Sequence, residues 1–263
     1  MLTGATRLVG LVGNPVSGSL SPRMQNAAFA ARGLDWAYVP LCVEASALGA
    51  AVRGLAALGF AGANVTGPHK AAVAHLCDEV DSFAERAESV NTLVVREGQL
   101  LGSSTDGLAV AGAVDPSGKC VHLLGAGGSA RAVATALLDA GAASVTVVSR
   151  RQEAAAALVQ QLGELFPGRA AVGDGQSRPD LVVNATPVRD DAPVELEGVE
   201  IVIDFPYNVD GSPTALVAAA RERGCEVVDG LEVLVRQGAA SFERWTGLPA
   251  PLDVMRAALT SRS

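Results

Sequence analysis

Short runs of β-favouring residues alternate with alanine-rich helical stretches along nearly all of this 263-residue chain. Parallel strands need a crossover connection, usually a helix, so the alternation is the pattern of an α/β protein with parallel strands. In the first part RLVGLV, WAYVPL and GFAGANV read as strands, with helices near 22–32 and 45–58 and another starting near Lys70. NTLVVREGQLLG reads as a short hairpin. In the second part KCVHLLG, SVTVVSR, DLVVNAT, EIVIDF and CEVVDG are short, apolar and Val/Ile-rich, as buried parallel strands are. Helices fall between them at 128–140, 151–165 and 214–223, and the tail from about Gly230 reads as two helices broken at 247–249. The length favours two domains, with a boundary near Thr105 to Asp115.

The strongest short signal is GAGGSARAV, which follows the strand KCVHLL and opens a helix. Gly125, Gly127 and Ala130 occupy the three small positions of the G-x-G-x-x-G/A turn, with Gly128 and Ser129 between them. The first lets the chain turn, the second lets a pyrophosphate approach the backbone, and the third lets helix and strand pack closely. The helix N-terminus adds unpaired N–H groups and a positive dipole end. An acidic residue normally ends the next strand in an NAD site; here Ser149, Arg150 and Arg151 stand there, which favours the 2′-phosphate of NADP, with NAD as the alternative cofactor. Two arginines opening an exposed helix are also ordinary surface charge, and both readings stay open at this point.

GNPVSGSLSP, residues 13–22, is either a surface turn or a binding loop. In an extended stretch the hydroxyls of Ser19 and Ser21 would point to one side and could hold a carboxylate. NVTGPHK ends where a helix can begin, which puts Lys70 in a first turn, where a cation is electrostatically misplaced. STDG puts Asp106 at the expected domain junction, where it could also be a helix cap. A Lys and an Asp facing one another could polarise a ketone and donate a proton to the alkoxide.

A formal net charge of −8 argues against a nucleic-acid or acidic-membrane binder, so an anionic ligand needs a local site. Cys42, Cys77, Cys120 and Cys225 are scattered, and His69, His75 and His122 fall in no metal or triad pattern. The expectation is free buried thiols, no metal, and a cytoplasmic protein without signal peptide or membrane helix.

GNPVSGSLSP, NVTGPHK, SVNTL, STDG, GAGGSARAV, NATP, DFPYN and GLEVLVRQGAASFERWTG together resemble the shikimate dehydrogenase family in order and approximate spacing, from about residue 7 to 250. The resemblance implies a substrate domain over 1–105, completed by helices at 238–263, and a Rossmann-type NADP domain over 106–237. It implies NADP-dependent reduction of 3-dehydroshikimate to shikimate, a carboxylate substrate, by a monomer or homodimer. Quinate or an amino-substituted shikimate is the alternative substrate, and a non-catalytic ligand sensor the alternative role. Lys70 and Asp106 match the catalytic pair. Ser19 and Ser21 match the carboxylate-binding serines, with Tyr207 nearby; Asn64, Thr66, Asn91 and Gln237 match ring-hydroxyl positions, and Gly230 a cofactor position. Departures from the family pattern stand at Gly18, Gln25, Gly67, Ser104, Arg189, Asp190 and Val233. The last three are expected near the nicotinamide and its approach.

Overall fold

The structure is a computed structural model that describes residues 2–173, 178–192 and 194–260. It contains two compact units, one formed by residues up to Thr105 and from Leu234 on, the other by Asp106–Val233. The second seam falls inside a helix and before Gln237 rather than after it, so Gln237 belongs to the first unit.

The first unit runs β1 (Arg7–Gly13), α1 (Ser21–Ala31), β2 (Trp36–Cys42), α2 (Leu48–Ala57), β3 (Gly62–Val65), α3 (Lys70–Ala74), β4 (Glu79–Val80), α4 (Ser82–Arg86), β5 (Thr92–Arg96) and β6 (Gln99–Ser103). Its mixed sheet has the order β2-β1-β3-β5-β6-β4. β1 pairs in parallel with β2 and β3, while β5 runs antiparallel to β3 and β6. The β5–β6 hairpin turns on Glu97 and Gly98, both at positive φ, the geometry whose twist matches the flanking strands. Residues of one sheet face, among them Val12, Ala63, Val65 and Leu93, pack with Val52, Leu55 and Val73 from the helices.

The second unit continues with α5 (Asp106–Ala111), β7 (Cys120–Leu124), α6 (Gly128–Asp139), β8 (Ser144–Val148), α7 (Gln152–Leu165), β9 (Ala170–Val172), β10 (Leu181–Asn184), β11 (Ile201–Asp204), α8 (Ala215–Glu222) and β12 (Glu226–Val228). Its sheet is wholly parallel, in the order β12-β11-β10-β7-β8-β9. The strand order reverses between β7 and β10, the switch point where doubly wound folds open a crevice. Both faces are apolar, Val121, Leu123 and Val183 packing with α6 and α7, and Leu124, Val182 and Val202 with α8.

α9 (Gly230–Thr246) carries the chain back into the first unit, and α10 (Leu252–Thr260) packs on α1. Phe242 of α9 stacks on Phe29 of α1 at 5.5 Å, and Trp245 donates its indole N–H to the Leu93 carbonyl at 2.9 Å.

The thiols are not in the core: Cys42 and Cys120 are exposed and Cys77 and Cys225 half-buried. Cys42 ends β2 and Cys120 starts β7, where strand termini meet solvent. Burial, with a smaller contribution from Asp78, pushes the Cys77 thiol up to about 11. β4, α4, α5 and β9 carry no sequence-level expectation above, since each is at most six residues long and too short for a periodic signal.

Phe242 is fully buried. Phe242→Ala should lower the stability of the first unit by about 3–5 kcal/mol, read as an earlier urea transition for that unit.

Candidate functional site

In the first unit the candidate residues gather at the C-terminal ends of the parallel strands β1 and β3. Thr66 donates its backbone N–H to Val12 at 2.8 Å, and Asn14 donates to the Gly67 carbonyl at 3.1 Å, so the serine loop and the NVTGPHK loop leave the sheet side by side. The X-Pro bonds Asn14–Pro15 and Gly67–Pro68 are cis.

The serine loop is not extended. Leu20 has helical φ/ψ, and the Ser19 hydroxyl accepts the Ser21 N–H at 3.2 Å, so the loop closes as a serine turn that runs into α1. Ser21 is the first residue of α1 and Pro22 follows it, as suits a helix start. Local side-chain bonding and the proline win over alternation here. The first turn of α1 holds no acidic residue, leaving its dipole end available to a carboxylate.

Asn64 and Asn91 are buried and belong to one hydrogen-bond network. The Asn64 Nδ2 reaches the Asn91 carbonyl at 3.0 Å, Thr92 Oγ1 at 3.2 Å and Ser241 Oγ at 2.9 Å, while its Oδ1 accepts the Tyr38 hydroxyl at 2.8 Å. The carboxamide hydrogens of Asn64 are therefore engaged with protein, since an amide nitrogen has only two. The Asn91 Oδ1 accepts the Thr105 N–H at 2.8 Å and the Thr92 hydroxyl at 2.9 Å, and its Nδ2 donates to Thr105 Oγ1 at 2.9 Å. Lys70, the first residue of α3, is half-buried, and its carbonyl accepts the N–H of Val90, the residue before Asn91, at 3.0 Å. Asp106 is buried and follows Thr105 directly. Thus the backbone of Lys70 and the residue before Asp106 are both tied to the segment carrying Asn91.

Gln237 lies half-exposed on α9 with its Nε2 bonded to the Leu234 carbonyl at 3.0 Å; Ser241 donates to the Gln237 carbonyl at 3.0 Å. Ser241, Thr92, Thr105 and Tyr38 were not among the expected site residues. The spacing of Gln237 and Ser241, four apart on one helix face, is the signal that could have found the first. Gln25, also buried, donates to the Gly238 carbonyl at 2.9 Å and so fastens α1 to α9. His69 is buried with Nε2 2.7 Å from the Val43 carbonyl, a structural tie.

In the second unit the glycine turn, the end of β8 and the turn after β10 enclose a cavity of about 560 Å³. Gly125, Gly127, Ser149, Arg150 and Arg151 line it, opposite Thr186. Gly125 has φ +106°, and an added Cβ would lie 3.2 Å from the Thr186 methyl, so the turn needs glycine on both counts. Gly128 and Ser129 open α6, and Ala130 is fully buried in the interior cluster, as a close helix–strand contact requires. Arg150 and Arg151 are exposed, and the Ser149 hydroxyl accepts the Arg151 N–H at 3.2 Å. The cavity's glycine backbone, helix N-terminus and two guanidinium groups fit a dinucleotide with a phosphorylated ribose.

Tyr207 and Gly230 line a smaller hollow with Thr214 and Asp229. A Cβ on Gly230 would stand 2.2 Å from the Pro206 carbonyl oxygen, so no larger residue fits. Of the departures, Val233 is buried in the apolar cluster of this unit. Arg189 and Asp190 are exposed, beyond the turn after β10. Among the described residues no group of three or more His, Cys, Asp or Glu side chains could hold a metal, and no helix is long and apolar enough to cross a membrane.

Three family models match the chain: the shikimate dehydrogenase substrate binding domain over residues 11–93, shikimate/quinate 5-dehydrogenase over 108–186, and the shikimate 5′-dehydrogenase C-terminal domain over 230–260. A shikimate dehydrogenase (NADP(+)) of Rubrobacter xylanophilus is 43% identical, covering 98% of this chain and 97% of its own. A shikimate dehydrogenase solved in complex with NADP+ superposes with a TM-score of 0.88 at 32% identity, covering 98% and 96% of the two chains. The Thermus thermophilus enzyme solved with NADP(H) and shikimate gives 0.84 at 33% identity, covering 96% and 98%. With family models matching both units and a relative 43% identical along nearly its whole length, the chain belongs to the shikimate dehydrogenase family.

Proposed function

We propose that this protein catalyses the NADP-dependent, reversible reduction of 3-dehydroshikimate to shikimate. The observation that carries the reading is the buried frame on Asn91, which ties in the start of the Lys70 helix and the residue preceding Asp106 within a unit matched by the family's substrate-binding model. The cofactor, when bound, supplies the hydride to the ketone carbon. Lys70 donates the proton to the developing alkoxide oxygen, and in the reverse direction takes it from the alcohol. Asp106 balances the ammonium charge and orients it. Ser19, Ser21 and the first turn of α1 hold the substrate carboxylate, with Tyr207 assisting. Thr66, Asn91 and Gln237 meet the ring hydroxyls, and Asn64 serves them from behind by fixing the Asn91 backbone and Ser241. Gly125, Gly127, Gly128, Ser129 and Gly230 leave room for the dinucleotide backbone, Ala130 lets the helix approach, and Ser149, Arg150 and Arg151 clasp the 2′-phosphate.

Initial rates with shikimate and quinate, each with NADP and NAD, test the assignment. The highest kcat/KM is expected for shikimate with NADP; a higher value for quinate would reassign the substrate.

Lys70→Ala should reduce kcat by roughly 10²–10⁴ while circular dichroism and the thermal midpoint stay near the wild type. Near-normal turnover in that folded variant would remove Lys70 from the proton path.

Ser21→Ala should cost roughly 10- to 150-fold in kcat/KM, the value of one charge-assisted hydrogen bond, and leave NADP affinity unchanged. A substrate analogue without the carboxylate should lose far less; equal losses for both would mean that the hydroxyl only shapes the turn.

A further inference from the structure

The second unit carries a buried acid that the reaction does not use. Asp204 ends β11 and Asn184 ends β10, and the two are paired in register. Both are fully buried. The Asn184 carboxamide makes four bonds. Its Oδ1 accepts the Thr186 N–H at 3.0 Å and the Thr186 hydroxyl at 2.6 Å; its Nδ2 donates to the Val188 carbonyl at 3.2 Å and to Asp204 Oδ1 at 2.7 Å. Thr186 Oγ1 in turn accepts the Val188 N–H at 3.2 Å. The segment 184–188 is thus built on one amide, and its residues Ala185, Thr186, Pro187 and Val188 form the wall of the 560 Å³ cavity opposite the glycine turn. A carboxylate can only accept, so an ionised Asp204 takes one Asn184 N–H while the other goes to the Val188 carbonyl and the amide oxygen faces Thr186. The other Asp204 oxygen accepts the hydroxyl of Thr214, the N-cap of α8, at 2.5 Å.

We propose that Asp204 is a positioning residue for the dinucleotide, setting the 184–188 wall through Asn184 and coupling NADP affinity to its own ionisation. The inference rests on the reading of that cavity as the NADP site. Burial is the main cause that pushes the Asp204 carboxyl up to about 6, against the lowering effect of the Thr214 and Asn184 bonds, and the Asp229 carboxylate adds to the rise. Arg221 of α8 is ion-paired to Asp229 at 3.0 Å; the loops flanking β10 and β11 also carry Arg189, Asp190, Asp191, Glu195, Glu197, Glu200, Tyr207 and Asp210, of which Asp191 lines the cavity itself. The folded pKa lies above the unfolded 3.8, so the folded state binds the extra proton between the two values, and this group makes the fold more stable as pH falls from about 6 toward 4. The neutral acid offers Asn184 only an uncharged bond, roughly half as strong. Acidification through pH 6 is therefore expected to loosen cofactor binding without loosening this part of the fold. A role confined to structure would not separate the two.

The test is titration calorimetry of NADP+ on the full chain from pH 5 to 8, with thermal denaturation alongside. The ligand's own 2′-phosphate titrates near pH 6, so the readout is the ratio of Kd in Asp204→Asn to that in the wild type. That ratio should be roughly 3–10 at pH 7.5 and approach one at pH 5, with a thermal midpoint equal to or above the wild type. Thr214→Val, which keeps the Asn184 bond but removes one that favours the carboxylate, should lower the midpoint and shift the fall in affinity to higher pH, with Kd at pH 8 near the wild type. A ratio of one throughout, a ratio independent of pH, or an affinity loss in Thr214→Val at pH 8 equal to that in Asp204→Asn would overturn the proposal. In Arg150→Ala/Arg151→Ala, weaker NADP+ binding places the ligand in this cavity; unchanged binding would take down the cavity reading and this inference with it.

Discussion

A buried carboxamide has two donor hydrogens and two acceptor sites, and leaving any of them unpaired costs about 1–3 kcal/mol. Each unit of this protein organises its functional edge on one such group. Asn91 collects the backbone and hydroxyl of Thr105 and the hydroxyl of Thr92; Asn184 collects Thr186, Val188 and Asp204. Because the bonds are directional, each amide selects one conformation of the segment around it. Loops at the ends of parallel strands, which have no ladder of their own, acquire a defined shape in this way.

The topology explains why these amides stand where they do. In both sheets the candidate residues lie at the C-terminal ends of parallel strands: Gly13 and Val65 lead into the serine and lysine loops, Leu124 and Asn184 into the walls of the 560 Å³ cavity. In a wholly parallel sheet such as that of the second unit, every crossover helix starts at that edge, so N–H groups and positive dipole ends collect there. An acidic protein can thus hold anions locally: the net charge of −8 describes the surface as a whole, while helix starts, serines and two arginines describe the pockets.

α9 gives the first unit its cohesion. Its apolar face supplies Phe242 and Trp245 to the interior, and its polar face supplies Gln237 and Ser241 to the network. One helix therefore serves both the apolar packing and the buried polar network, and the Gln25 bond to Gly238 fastens it to α1. A Cβ at residue 238 would meet the Met24 methyl at 2.3 Å, so a larger residue there would require the Met24 side chain to shift.

Much of this was legible in the residues. Strand and helix types follow from the spacing of apolar positions, and the glycine turn from its small residues. Those are local properties, written in neighbouring residues. The serine loop misled because alternation assumes an extended chain, whereas Ser19 bonding to the Ser21 N–H and a proline after Ser21 start a helix. The partners of Asn64, Asn91 and Asn184 could not be read in advance, since Ser241 lies 177 residues from Asn64 and Asp204 lies 20 from Asn184. By itself the sequence determined the longer elements, the parallel second sheet and the chemical types of the candidate residues. Only the tertiary structure decided which polar groups are buried against one another, because burial and hydrogen-bond partnership are properties of distance in space, which chain separation does not encode.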